Sequence, residues 1–133
     1  MFKARQIMTT SLITVRENTT LREAMNILVD KNIAGLPVVT EDMCLIGIVS
    51  EKDMLSLLYK PQPKKTRFVS EVMTRDVVSF DESDSLFDIC ESFIENNFRR
   101  VPILAEGKLT GVISRRDIIK YIIKLRETSG RPL

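Results

Sequence analysis

A serine followed three positions later by an aspartate is the side-chain pair best suited to chemistry in this chain, and it occurs twice. The two segments read "GIVSEKD" at residues 47–53 and "GVISRRD" at residues 111–117. In both, the serine ends a hydrophobic stretch and opens a helical one, a place where α/β units bind ligands. A hydroxyl and a carboxylate there suit the hydroxyls of a ribose. The leading glycine permits close approach by a backbone or a ligand.

The same spacing also has a purely structural interpretation. Ser-x-x-Asp is a capping box, in which the serine oxygen accepts from the third amide of the helix and the carboxylate reaches back to the serine amide. Thr20 with Glu23 and Ser85 with Asp88 have the same spacing without the glycine. The motif alone therefore leaves both interpretations open, a ligand contact and a helix cap.

Arginines supply the candidate phosphate contacts, because a carboxylate repels phosphate. Arg99 and Arg100 stand directly before the "VPIL" stretch, and guanidinium groups bind phosphate through paired hydrogen bonds. Arg115 and Arg116 fall in the first turn of the following helix, where the helix dipole disfavours cations and a nearby anion would favour them. The alternative is that these arginines are solvated surface charges.

The chain is an internal duplication that positions these residues twice. At an offset of 65, residues 6–24 align with residues 71–89, and Pro37 aligns with Pro102. After the next turn the offset falls to 64, as expected for one residue lost in a hairpin loop.

Each copy has the element order β-α-β-β-α, which predicts an α+β fold. Alternating residues predict strands at 11–15 and 76–80. Apolar residues at helical spacing predict helices that begin near Leu21 and Leu86. A β-hairpin follows in each copy, and the predicted closing helices are 53–59 and 117–125.

Neither copy can bury its apolar sheet face alone. We therefore expect the copies to pack about a pseudo-twofold axis, with sheets face to face, helices outside and two equivalent clefts between them. The expected boundaries are 1–62 for the first motif, 63–67 for a linker, 68–126 for the second motif and 127–133 for a flexible tail.

The composition excludes several classes of function. The 133 residues carry a net charge of +2 without a long basic run, so we expect no nucleic-acid binding. No stretch approaches the roughly 18 apolar residues of a membrane span, so we expect no membrane insertion. Histidine is absent, which removes imidazole bases, Ser-His triads and His-ligated metals. We predict neither an enzyme nor a metal site. Cys44 and Cys90 have no partner spacing, which indicates a reduced, cytoplasmic protein.

Together these segments resemble a tandem pair of cystathionine β-synthase (CBS) domains, a Bateman module, over about residues 3–124. The first copy carries "ARQIMTTSLITVRENTTLREAMNILVDKNIAGLPVV" and "LIGIVSEKDML"; the second carries "VSEVMTRDVVSFDESDSLFDICESFIENNFRRVPIL" and "LTGVISRRDII". The resemblance implies a regulatory module that senses AMP, ADP, ATP or an S-adenosylmethionine-like ligand. It also implies a homodimer that requires no cofactor and modulates an unknown partner protein. The alternative is a ligand-free dimerisation or scaffold module, in which the serines and aspartates are only caps.

The resemblance also assigns roles to positions of this chain. It implies that the aspartates hold ribose, that the serines contact ribose or phosphate, and that Arg99 and Arg100 reach phosphate. Thr14 and Ser79 lie near the expected base contacts. The full set of predicted binding residues is Thr14, Gly35, Pro37, Ser50, Asp53, Ser79, Arg99, Arg100, Pro102, Ser114, Arg116 and Asp117.

The first copy departs from the family pattern at the phosphate positions. Ala34 and Gly35 stand where the second copy has Arg99 and Arg100, and Lys52 is only a partial substitute. We therefore expect unequal sites, one that holds a charged nucleotide and one that is weak, empty or suited to an uncharged adenosine.

Overall fold

The computed structural model describes residues 2–59 and 67–130, and it confirms the α+β fold. The predicted linker at 63–67 lies outside the described residues except for Arg67. The helices are α1 (Leu21–Lys31), α2 (Glu51–Tyr59), α3 (Leu86–Glu95) and α4 (Arg115–Ser129), with 3-10 turns at Ala4–Gln6 and Val69–Glu71. The strands are β1 (Gly35–Val39), β2 (Leu45–Ser50), β3 (Phe80–Asp81), β4 (Arg100–Ala105) and β5 (Lys108–Ser114).

The first helix of each copy begins where its cap residue predicts. Thr20 accepts a hydrogen bond from the Glu23 amide, and Ser85 accepts one from the Phe87 amide. One face of each helix is buried, and the buried residues are Leu21, Ala24 and Leu28 in α1 and Leu86, Ile89 and Phe93 in α3. The 3.6-residue period of the sequence is therefore the period of burial.

The predicted strands at 11–15 and 76–80 were largely wrong. Of residues 11–15 in the first copy, only Val15 joins a sheet, as an isolated parallel bridge to Val38. In the second copy the strand shortens to Phe80–Asp81, which pairs in parallel with β4. Alternating polarity reports which side chains are buried, whereas a strand also needs a neighbouring backbone to accept its hydrogen bonds. That neighbour is available here only at the last residues of each stretch.

Both predicted hairpins are present, with different turns. β4 and β5 are joined through Glu106 and Gly107, both at positive φ (53° and 80°). Such a two-residue turn matches the twist of antiparallel strands. β1 and β2 are joined by a longer loop in which Met43 has a φ of 70°. The extra residue of the first copy is thus absorbed in the loop, as the change of offset predicts.

The two compact units do not coincide with the two sequence repeats, because each unit contains the opening segment of the other repeat. One unit, called the first unit, is Ile13–Val77 (described at 13–59 and 67–77). The second unit is Met1–Leu12 with Val78–Leu133 (described at 2–12 and 78–130). The opening segment of each repeat therefore belongs to the unit built around the hairpin of the other repeat.

The exchanged segments pair with the hairpins at equivalent positions. In the first unit, Thr74 and Ile48 exchange backbone hydrogen bonds of 2.8 and 2.9 Å. In the second unit, Thr9 and Val112 do the same at 2.9 and 3.0 Å. Each "MT" pair thus extends a hairpin edge by one short antiparallel bridge.

The glycines of the two serine-aspartate segments accommodate these bridges. A Cβ placed on Gly47 would lie 2.9 Å from both the Met73 Sδ and the Thr74 carbonyl oxygen. A Cβ on Gly111 would overlap the Met8 side chain, with its Sδ as the nearest atom. The sequence allowed for the close approach of a backbone or a ligand. The structure shows a methionine side chain in both units and, at Gly47, a backbone carbonyl as well.

The closing helices begin earlier than predicted, and the last one is longer. α2 begins at Glu51 and α4 at Arg115, directly after the capping serines. α4 continues through Ser129, so residues 127–129 are helical rather than part of a frayed tail. Gly130 ends the helix in the left-handed conformation, and its N–H donates to the Arg126 and Glu127 carbonyls. Residues 131–133 lie outside the described residues.

Each unit has its own hydrophobic core. In the first unit the core includes Leu36, Val38 and Val49 of the hairpin together with Val69 and Met73 of the exchanged segment. In the second unit the buried residues include Ala4 of the exchanged segment, Ile89 and Phe93 of α3, and Ile103 and Ile113 of the hairpin. The exchanged segments therefore contribute to the cores as well as to the sheet edges.

Glu71 makes the stability of the 3-10 turn at Val69–Glu71 sensitive to pH. Backbone hydrogen bonds from Arg67 and Phe68 hold the pKa of the Glu71 carboxyl below its usual value. In the other exchanged segment Gln6 occupies the corresponding place and accepts from the Lys3 amide at 2.6 Å. An amide thus fills the same position without a titrating group.

We expect Glu71→Gln to flatten the acid side of the stability curve. Because the folded pKa is depressed, the contribution of Glu71 is complete above the unfolded value of about 4.3 and is lost as pH falls through the folded value. Urea unfolding at a series of pH values should therefore show the wild type and the variant converging as pH falls. The converse change, Gln6→Glu, should add pH dependence. Parallel curves for wild type and variant throughout would contradict the prediction.

Candidate functional site

In the first unit, Ser50 and Asp53 form the reciprocal cap of α2. The Asp53 Oδ2 accepts from the Ser50 amide at 2.8 Å and from the Ser50 hydroxyl at 3.0 Å. The Asp53 amide donates to the Ser50 Oγ at 3.2 Å. The second carboxylate oxygen, Oδ1, takes no part in the cap and accepts from the Thr74 hydroxyl at 3.3 Å. Both members of the cap are half-buried.

Ser114 and Asp117 form the same cap on α4 in the second unit. The Asp117 Oδ2 accepts from the Ser114 amide at 2.8 Å, and the Asp117 amide donates to the Ser114 Oγ at 3.1 Å. Within the described part of the chain, no hydrogen bond occupies the Asp117 Oδ1. The cap therefore uses one oxygen of the half-buried carboxylate. The capping interpretation of the sequence is correct. The cap leaves the Asp117 Oδ1 as a further hydrogen-bond acceptor.

The strand register decides which residue stands opposite each capping serine. In the second unit, Arg100 at the start of β4 is paired with Ser114 at the end of β5. In the first unit, Gly35 is paired with Ser50. The equivalence of the two units therefore puts a guanidinium-bearing residue beside one cap and a residue without a side chain beside the other. Both Arg99 and Arg100 are exposed.

Arg115 has a structural explanation that sequence reasoning missed. Its guanidinium donates to the Phe98 carbonyl through Nε and to the Asn96 carbonyl through a terminal nitrogen, both at 3.1 Å. The side chain therefore closes the loop that follows α3. In the sequence, a cation in the first turn of this helix was interpreted as fitting a nearby anion. The partners of the Arg115 guanidinium are instead these two carbonyl oxygens. Arg116 is exposed, as is Lys52 at the corresponding position of α2.

The other predicted residues lie on the elements that surround each cap. Thr14 precedes Val15, whose amide donates to the Pro37 carbonyl at 3.0 Å. Ser79 directly precedes β3, and Pro102 is buried within β4. Each compact unit thus contains one cap and part of the predicted set. The members are Thr14, Gly35, Pro37, Ser50 and Asp53 in the first unit and Ser79, Arg99, Arg100, Pro102, Ser114, Arg116 and Asp117 in the second.

Thr74 is the site residue that sequence reasoning missed. Its hydroxyl reaches Asp53 from a position 21 residues away, through the exchanged segment. The available signal was the repeated "MT" at residues 8–9 and 73–74. Nothing in the spacing indicated that this pair would join the hairpin of the other repeat.

A family model for the CBS domain matches the chain twice, at residues 4–60 and 69–124. The chain belongs to the CBS domain family. The two matches cover both hairpins and both serine-aspartate caps, so the CBS pair inferred from the sequence is confirmed.

Solved structures of CBS pairs are similar over nearly the whole chain. CBSX2, a protein of Arabidopsis thaliana, in complex with AMP has a TM-score of 0.85 and 27% identity, covering 95% of this chain and 99% of that one. The CBS domain pair of MJ0100 in complex with 5-methylthioadenosine and S-adenosyl-L-methionine has a TM-score of 0.78 and 25% identity, covering 94% of this chain and 98% of that one.

Curated relatives are mostly longer proteins. The uncharacterized protein MJ1225 of Methanocaldococcus jannaschii is 32% identical over 118 residues, which make up 89% of this chain and 42% of that protein. The inosine-5'-monophosphate dehydrogenase of the same organism is 35% identical over 135 residues, 98% of this chain and 26% of the enzyme. The chain thus spans less than half of each of these two relatives.

In the described ranges, no helix is both long and apolar enough to cross a membrane. Within residues 2–59 and 67–130, no cluster of three or more cysteine, aspartate and glutamate side chains could hold a metal ion.

Proposed function

We propose that this protein is a regulatory module that binds an adenosyl ligand at each serine-aspartate cap. The observation that carries the proposal is that the helix cap uses only one of the two oxygens of each aspartate carboxylate. Among the described residues, the second oxygen accepts from the Thr74 hydroxyl at 3.3 Å in Asp53 and from no group in Asp117, so each carboxylate can accept a further hydrogen bond. Ribose hydroxyls are donors that suit such an acceptor, since hydrogen bonds to an ionised group are strong.

The relatives support this ligand class. CBSX2 is known in complex with AMP, and the MJ0100 pair in complex with 5-methylthioadenosine and S-adenosyl-L-methionine. These ligands share adenosine and differ at the 5′ position. We propose that the shared part is read at the aspartate and the residues that precede each sheet, Thr14 and Ser79, and that no cofactor is needed for folding.

Binding energy is the means of regulation in this proposal. A ligand at a hundredfold excess over its Kd stabilises the conformation that binds it by about 2.7 kcal/mol. That free energy can shift an equilibrium between conformations that present different surfaces to a partner protein. A reducing compartment such as the cytoplasm suits Cys44 and Cys90, which are both free thiols.

A ligand screen tests the proposal. The Tm of the purified protein should rise with at least one of AMP, ADP, ATP, S-adenosylmethionine and 5′-methylthioadenosine, and calorimetric titration should give saturable binding. If no adenosyl compound changes the Tm or gives heat at millimolar concentrations, the caps are structural only and the ligand-free scaffold alternative holds.

We also propose that the protein forms a homodimer through its helices. Large apolar side chains are exposed on all four helices, among them Val29 (77% exposed), Leu58 (94%) and Ile94 (80%). Where such side chains lie together, as Ile94, Ile119 and Ile122 do, the exposed apolar surface marks an interface. Between α3 and α4 lies a groove of about 220 Å³ whose lining includes Ile94, Ile119 and Ile122.

Charge complementarity favours a second copy as the occupant of that groove. α3 carries Asp88, Glu91 and Glu95 and no cation. α4 is basic, with five cations against two carboxylates; the cations are Arg115, Arg116, Lys120, Lys124 and Arg126. A twofold axis places the acidic helix of one copy against the basic helix of the other, twice.

We expect Ile119→Glu to weaken dimerisation by at least about tenfold, because it buries a charge without a partner in the interface. Sedimentation equilibrium measures the effect. Val78→Glu, at a 51% exposed position outside the helices, is the matched control and should leave the association unchanged. A wild type that is monomeric at every concentration examined would refute the dimer.

A further inference from the structure

The two caps differ in the charge of the residues around them. At the five equivalent positions, the first unit has one cation, Lys52, against two carboxylates, Glu51 and Asp53. The second unit has four arginines against one carboxylate; these residues are Arg99, Arg100, Arg115, Arg116 and Asp117. The local fields therefore have opposite signs although the backbone geometry is the same.

Not every one of these arginines is available to a ligand. Arg115 is committed to the Asn96 and Phe98 carbonyls. Arg100 stands opposite Ser114 in the strand register, and Arg99 precedes it, with its carbonyl accepting from the Arg115 amide at 3.1 Å. Arg100 is thus the cation best placed beside the Asp117 cap, and the exposed Arg99 is its neighbour.

The first unit has no equivalent cation at this position. Gly35 is opposite Ser50, and the residue before it, Ala34, has a carbonyl that accepts from the Glu51 amide at 2.9 Å. Another cation of this unit, Arg75, follows Thr74, whose hydroxyl contacts Asp53, but the Arg75 guanidinium donates to the Ser70 carbonyl at 3.5 Å. Asp76, next to it, offsets its charge.

The backbone does not require glycine at position 35. A Cβ there would have its nearest contacts at 3.6 Å, to the Ile48 Cγ2 and the Val49 carbonyl oxygen, which is ordinary van der Waals distance. Gly35 also is not among the residues with positive φ. The fold therefore does not require glycine at this position.

We infer that the two sites divide adenosyl ligands by the charge of their 5′ substituent. The second unit takes phosphorylated adenine nucleotides, with Arg100 and Arg99 on the phosphate. The first unit takes adenosyl compounds without a phosphate, whose 5′ substituent is an uncharged thioether or a cationic sulfonium beside Glu51. This inference rests on the proposed function and adds the ligand class of each site.

Unit-specific variants separate the two sites. Asp117→Asn leaves the first site intact, and Asp53→Asn leaves the second. Calorimetric titration of Asp117→Asn should then show 5′-methylthioadenosine or S-adenosylmethionine binding at least about tenfold more tightly than AMP, the loss expected when a phosphate has no charged partner. Titration of Asp53→Asn should show the reverse order.

Exchanging the residue types at positions 34 and 35 with those at positions 99 and 100 tests whether the arginines cause the difference in ligand preference. Ala34→Arg with Gly35→Arg should raise the AMP affinity of the first site by about tenfold or more, while Arg99→Ala with Arg100→Gly should lower that of the second by a similar factor. In both variants the affinity for AMP should change by a larger factor than the affinity for 5′-methylthioadenosine. Gly35→Ala, which adds a side chain without charge, is the matched control.

The outcomes distinguish this inference from the proposed function. If wild type binds none of the three ligands, the proposed function fails. If both unit-specific variants prefer the same ligand, or the exchanged arginines leave the AMP affinities unchanged while circular dichroism shows folded protein, the division by charge is overturned and adenosyl binding stands.

Discussion

Asp117→Asn is expected to weaken AMP binding by about 100-fold or more and to remove the AMP-dependent rise in Tm. The ribose hydroxyls lose an ionised acceptor, and hydrogen bonds to charged groups contribute roughly 1.5–3 kcal/mol each. Asparagine retains one oxygen, which can still accept from the Ser114 amide that Asp117 Oδ2 now engages at 2.8 Å. The measurement is calorimetric titration of AMP, with Tm recorded at each ligand concentration.

The control for this variant is an aspartate in the first turn of another helix, outside the site. Asp88 occupies the same third position in α3, after the capping Ser85. Asp88→Asn removes a similar favourable charge near a helix N-terminus, for which about 0.3–1 kcal/mol is expected. Both variants should lose comparable stability without ligand, but only Asp117→Asn should lose the response to AMP. An unchanged AMP affinity in folded Asp117→Asn would contradict the role of this carboxylate.

Gly47→Ala is expected to lower the free energy of unfolding by about 1–3 kcal/mol, the usual cost of overpacking. The new methyl group would lie 2.9 Å from the Thr74 carbonyl oxygen. That oxygen accepts from the Ile48 amide at 2.9 Å, so it cannot withdraw without breaking the bridge to the exchanged segment. Urea unfolding gives the free energy, and the spectra of the folded state should be preserved.

Gly35→Ala is the control for this change, since it lies in the same hairpin. Its Cβ meets nothing closer than 3.6 Å, so we expect an effect within about 0.5 kcal/mol. Gly111→Ala should be destabilising as well, but the clash there is with the Met8 side chain, and Met8→Ala in the same chain should relieve part of it. Equal stabilities of Gly47→Ala and Gly35→Ala would show that the exchanged segment does not press on this strand.

Local patterns in the sequence were sufficient for most of the secondary structure. The helices beginning at Leu21 and Leu86, both hairpins and both caps are encoded in residues within a few positions of one another. Their periods and capping residues therefore act regardless of the rest of the chain. The strands at 11–15 and 76–80 were largely wrong because only the last residues of each stretch meet a neighbouring backbone, which comes from a distant part of the sequence.

The candidate site was predictable to the same extent. Asp53 and Asp117 could be chosen because they recur at the same place of the repeat, and Arg99 and Arg100 because guanidinium groups suit phosphate. The contacts of these side chains became known only from the fold: Arg115 donates to two carbonyl oxygens, and Thr74 donates to Asp53. Register also assigned Arg100 and Gly35 to equivalent places opposite the capping serines.

By itself, then, the sequence determined the duplication, the CBS family, the helices, the hairpins and the residues at each cap. Only the tertiary structure decided that the segments containing Met8 and Met73 exchange between the repeats, and that Gly47 and Gly111 make room for them. The reason is physical. A cap or a period is a relation between neighbours in the chain, whereas the exchange depends on which of two similar hairpin edges a segment pairs with, and both edges carry nearly the same residues.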